Sequence, residues 1–140
     1  MTQEKQPRRL AVYCRARCDN SDAIGFSLES QLSDCLEYAQ QLRNDGQPLV
    51  FLEVQRGGSE PFEGRKRKLR PGLARLVEAI RAEEVEAVIS LNWDRLFRSA
   101  RLGLRFLRIC RQHSVSVQIV KIGGAIPGLL EPLLEYLAAR

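Results

Sequence analysis

The chain has 140 residues, 44% hydrophobic and 28% charged, which suits one globular domain with a real core and excludes a disordered chain or two independent domains. No apolar run approaches the ~18 residues of a membrane span and the N-terminus lacks a signal-type apolar stretch, so a cytoplasmic protein without a membrane partner is expected. The net charge of +5, carried by far more arginine than lysine, favours an anionic partner held by bidentate contacts.

In chain order, the polar residues 1–9 form a flexible N-terminus. Leu10, Val12 and Cys14 then alternate with Ala11, Tyr13 and Arg15, the period of a strand. A polar loop containing Gly25 leads to Ser27, a suitable N-cap. Leu28, Leu32, Cys35, Leu36, Ala39 and Leu42 recur at helical spacing until Asn44-Asp45-Gly46. LVFLEV (49–54) reads as a compact apolar strand. A long Gly-rich, charged loop follows and ends in RKRKLR (65–70), five cations in six residues.

Pro71 suits the first position of another helix, with Leu73, Leu76, Val77 and Ile80 as its core stripe. VEAVISL (85–91) is a strand that runs into NWDRLFRS (92–99), then a helix to about Gln112, then the strand VSVQIVK (115–121). Gly123-Gly124 and Pro127 introduce a last short helix, LLEPLLEYLAAR. Its leucines 129, 130, 133, 134 and 137 suit either a partner or packing on the chain's own sheet. Strands alternating with helices imply right-handed crossovers and an α/β fold of three layers, a mainly parallel sheet with helices on both faces. Ligands in such folds collect beyond the carboxyl ends of the strands, which gathers Arg15, Arg17, Arg56, Asp94, Arg95 and Arg98 at one edge.

Cys14, Cys18, Cys35 and Cys110 contain no CxxC pair, and His113 is the single histidine, so neither a zinc site nor any other metal or cofactor is expected. Arg98, Arg101, Arg105 and Arg108 share one arc of a helix, and with Arg65, Lys66, Arg67 and Lys68 they are candidates for nucleic-acid phosphate contact or for a solvated surface. Asp94 beside Arg95, one turn before Arg98, suits a carboxylate that orients a guanidinium, or an ordinary helix-start ion pair. Trp93 and Leu96 suit the core.

YCRAR (13–17), GFSLESQ (25–31), LRPGL (69–73), VEAVISLNWDRLFRS (85–99) and VSVQIV (115–120), in this order and spacing, resemble the catalytic domain of serine recombinases, the resolvase/invertase family. The GFSLESQ form is most similar to the large serine integrases. The resemblance spans residues 9 to 127. It implies a domain that cuts DNA by serine attack on a phosphodiester, without a metal, and exchanges strands within an oligomer. On it, Arg15, Arg70, Arg95 and Arg98 match phosphate-binding arginines, Gln31 the glutamine of the first helix, and Asp94 the carboxylate of the aspartate-arginine motif. Residues 10–140 then form one resolvase-like catalytic domain with a truncated C-terminal helix and no separate DNA-binding domain.

The resemblance also calls for a serine two residues beyond Arg15, where this chain has Arg17. A guanidinium has no usable lone pair and stays protonated at physiological pH, so it cannot attack phosphorus. Gln55 replaces an aspartate and Ser21 a glutamine of the family pattern, which leaves the site more positive. Two like charges ~4 Å apart at an effective dielectric of ~20 repel by about 4 kcal/mol, so Arg17 must either swing into solvent or be compensated by a bound anion. The expected function is therefore a recombinase-type domain linked to mobile elements, defective in strand cleavage and acting as a DNA-phosphate-binding or regulatory module, alone as a homo-oligomer or with a recombinase as a hetero-oligomer. Two alternatives stand beside it: an active recombinase or nuclease using Cys18 or Ser21, and a protein-interaction domain that does not bind DNA.

Overall fold

The computed structural model describes residues 7–17, 21–55 and 70–139. Along them run β1 (Arg9–Arg17), α1 (Ser21–Leu42), β2 (Leu49–Gln55), α2 (Pro71–Arg81), β3 (Val85–Ser90), α3 (Trp93–Leu96), α4 (Ala100–Gln112), β4 (Ser116–Ile119), β5 (Gly124–Ala125) and α5 (Leu130–Ala138). The strands form one sheet in the order β2-β1-β3-β4-β5, parallel except for β5. This is the three-layer α/β arrangement that the alternation of strand and helix implies.

Two apolar clusters define the layers. On one face Leu10, Val12 and Cys14 of β1 and Ala87 and Ile89 of β3 meet Cys35 and Ala39 of α1. On the other, Ala11 and Tyr13 of β1 and Val88 of β3 meet Leu76 and Ile80 of α2 and Leu104 and Leu107 of α4. Both alternating sets of β1 are buried, as befits a central strand of a covered parallel sheet. The β2 edge is less covered, and Val50, Leu52 and Val54 are more than 40% exposed.

Three features differ from the sequence reading. The first helix starts at Ser21, not after Ser27, because one interior glycine costs only about 1 kcal/mol and does not stop a helix. Ser27 lies inside it, and its Oγ accepts from the Gln31 side chain at 3.2 Å. Arg98 precedes α4 rather than lying on it: Phe97 is extended, and the Ser99 hydroxyl caps α4 by accepting the Leu102 N–H. The basic stripe of α4 is thus Arg101, Arg105 and Arg108, all exposed. Finally, α5 packs on α4, not on the sheet, with Leu134 buried while Leu129, Leu133, Tyr136 and Leu137 stay exposed.

Candidate functional site

The sheet order reverses at β1, which has β2 on one side and β3 on the other, and in such sheets ligands gather at the carboxyl end of the strands beside that reversal. Arg15 reaches from β1 to the segment after β3. Its Nη2 donates to the main-chain carbonyl of Asp94, at 2.7 Å, just past β3. The Asp94 carboxylate itself is exposed and joins no ion pair among the described residues. Arg15 is only 7% exposed.

β1 stays paired with β2 as far as Arg17 against Gln55, whereas its pairing with β3 ends at Val12. A side chain then takes the place of a strand. The Arg15 N–H donates to Gln31 Oε1 at 3.2 Å, and Gln31 Nε2 donates to the Arg15 carbonyl at 2.8 Å. This paired amide satisfies a buried peptide that has no strand beside it on the β3 side, a requirement of any buried backbone group. Gln31, buried itself, therefore acts here on the main chain of Arg15. Arg95 Nη1 approaches the same carbonyl at 3.5 Å, and its buried Nε has no hydrogen-bond partner among the described residues.

Behind Arg15 lies a buried polar cluster. Arg70 Nη2 donates to the Tyr13 hydroxyl at 2.7 Å, and that hydroxyl donates to Glu53. Arg70 Nε lies 3.5 Å from Glu53 Oε1, with both side chains almost fully buried. The guanidinium also stacks 5.3 Å from the Phe97 ring centroid and 5.8 Å from that of Tyr13. Burial pushes the Tyr13 hydroxyl well above its ordinary range, the more so beside the Glu53 carboxylate, so it remains a donor.

Glu53 does a second task. Arg70, the N-cap of α2, makes no side-chain capping bond, yet the first amides of the helix are satisfied: Gly72 N–H donates to Glu53 Oε2 at 2.8 Å and Leu73 N–H to Oε1 at 3.2 Å. A carboxylate from the neighbouring strand thus meets the positive end of the helix dipole. Gly72 makes the approach possible, because a Cβ there would stand 2.9 Å from the Leu52 carbonyl oxygen. The Arg-Pro-Gly sequence places Arg70 for that reason.

Among the candidate residues, Arg15, Gln31, Arg70 and Arg95 are brought together around the end of β1, and Asp94 and Arg98 lie on the adjacent surface. Arg101, Arg105 and Arg108 continue along α4. Cys18 and Arg65, Lys66, Arg67 and Lys68 lie outside the described residues, as do the side chains of Arg17, Ser21 and Gln55. Sequence reasoning missed Glu53 and Tyr13. The signal for Glu53 was a lone carboxylate inside the apolar run LVFLEV, since a buried charge needs a partner. Groups of three or more metal-ligating side chains are absent among the described residues, and no described helix is long and apolar enough to cross a membrane.

The doubly wound fold is shared with solved structures of recombinases. The chain aligns with the catalytic domain of TP901-1 integrase at 21% identity and a TM-score of 0.65, covering 94% of this chain and 92% of that one. A resolvase family site-specific recombinase from Streptococcus pneumoniae matches at 25% identity and a TM-score of 0.62, over 94% and 87% of the two chains. A serine recombinase from Sulfolobus solfataricus matches at 20% identity and a TM-score of 0.59, over 95% and 82%. No curated protein sequence matches. The family model described as "Resolvase, N terminal domain" matches residues 10–131, and the chain belongs to that family.

Proposed function

We propose that this chain is a recombinase-type domain that binds DNA phosphates without cutting the strand, and that it acts as a regulatory or pairing module of a mobile element. One observation carries the reading. β1 ends on Arg17, two residues beyond Arg15, at the position where the resemblance to serine recombinases calls for the nucleophile. A permanent cation there can hold a phosphate and cannot attack it.

Arg15 and Arg70 are buried and engaged, so in this reading they supply positive potential from behind. Half-buried Arg95 and exposed Arg98 meet the phosphate, and Arg101, Arg105 and Arg108 extend the surface along α4. The exposed apolar residues Leu129, Leu133, Tyr136 and Leu137 of α5 suit pairing with a second copy or with a recombinase subunit.

Equilibrium binding to duplex DNA across a salt series tests the reading. Affinity is expected to fall steeply with salt, and Arg98→Ala to lower the log–log slope by about 1, the contribution of one phosphate contact. Absent or salt-independent binding would instead support a protein-interaction domain.

A further inference from the structure

β2 is an outer strand of the sheet, with β1 as its one neighbour among the described strands. The pairing runs through seven residues without a register shift, so the free edge of β2 is a regular row of backbone N–H and C=O groups. Folded proteins commonly blunt such an edge with lysine, proline, a bulge or an unpaired charge. LVFLEVQ has none of these, because its one charge, Glu53, is already neutralised by Arg70 on the α2 side.

The face beside that edge is bare as well. Val50, Leu52 and Val54 stand next to Val12, Cys14 and Ala16 of β1; the β1 residues are at most 3% exposed and the β2 residues 41–44%. α1 makes the difference, since its apolar cluster takes residues from β1 and β3 and none from β2. The spacing of the three residues selects the occupant. A two-fold axis through Leu52, perpendicular to the sheet, sets β2 antiparallel to its own copy. Leu52 then faces Leu52 and Val50 faces Val54, all on one side of the joined sheet. The row matches itself, and no exposed charge among these residues enters the contact.

We propose that β2 is a pairing edge for a second copy of this chain, joined by antiparallel β2–β2 contact that covers Val50, Leu52 and Val54. The strand supplies seven residues a side, fewer than the ~20–30 of a standard stable interface, so the dimer is reversible and depends on concentration. Its surface is separate from the apolar face of α5, because β2 and β5, the strand that leads into α5, form opposite edges of the sheet. The pairing therefore does not rest on the phosphate-binding reading.

Disulfide trapping in the full chain, without DNA and with Cys18→Ala as background, tests the register. The thiols of Cys14, Cys35 and Cys110 are buried. Leu52→Cys is expected to give a covalent dimer on mild oxidation, because opposed residues of antiparallel strands stand ~4.5–5.5 Å apart at Cα, within disulfide reach. Val50→Cys and Val54→Cys are each expected to stay unlinked alone, their copies lying ~13 Å apart along the strands, and to link when mixed. Sedimentation of the unaltered chain is expected to show a monomer–dimer equilibrium. Leu52→Lys, an exposed change whose fold is checked by circular dichroism, is expected to weaken it several-fold by setting like charges opposite one another. A chain that stays monomeric up to ~1 mM, or equal linking at 50, 52 and 54, overturns the proposal. So does a Leu52→Cys link that disappears with Leu133→Lys, which would place the contact on α5.

Discussion

Glu53 holds two amides of α2 and the guanidinium of Arg70 at once, so its loss removes more than one hydrogen bond. Glu53→Gln leaves a buried Arg70 without its counter-charge and is expected to cost about 3–5 kcal/mol in urea denaturation. Tyr13→Phe breaks the link between Arg70 and Glu53 and is expected to cost about 1–3 kcal/mol. The same tyrosine sets an alkaline limit. Its folded pKa is raised above the unfolded value, so the unfolded chain releases the proton first, and stability present below about pH 10 declines as pH climbs past it. Denaturation midpoints at neutral and alkaline pH are expected to diverge less in Tyr13→Phe than in the wild type. None of this cluster was legible in the strand pattern, because alternation says which residues share a face and not which polar groups three separate elements bring together.

Between elements, α4 packs closely against both α3 and α5 at Gly103. A Cβ on Gly103 would stand 2.7 Å from Trp93 Cζ2 and 3.5 Å from Leu134 Cδ1, so Gly103→Ala is expected to push the indole aside, shift its fluorescence and cost about 1–3 kcal/mol. Leu134 is the buried anchor of α5, and Leu134→Ala is expected to cost about 2–5 kcal/mol. The ion pairs Arg108–Glu135 and Arg111–Glu131 tie the same helices at the surface and are worth less than ~1 kcal/mol each. They also draw Arg108 of the basic stripe toward an acid. Helix periodicity made α2 and α4 legible, since Pro71 opens the first and a strong apolar stripe runs through both. It misplaced Arg98 because periodicity continues through Phe97 and Ser99, whereas the backbone straightens there to let Ser99 cap α4.

For the molecule as a whole, alternating strands and helices were enough for a parallel three-layer sheet, because crossover handedness leaves few other ways to connect them. The arginines of the site were legible as an ordered set of motifs. Their state was not: the burial of Arg15 and Arg70 depends on Asp94, Tyr13 and Phe97 reaching them from other elements. The proposed function has this arginine cluster bind a phosphodiester and leave it whole, with Arg17 at the position where the resemblance to serine recombinases calls for the nucleophile. Wild-type protein and Arg17→Ser, incubated in parallel with duplex DNA and then denatured, measure it directly through protein–DNA adducts resolved by size. No adduct is expected with the wild type and a covalent adduct with Arg17→Ser; an adduct formed by the wild type would overturn the proposed function.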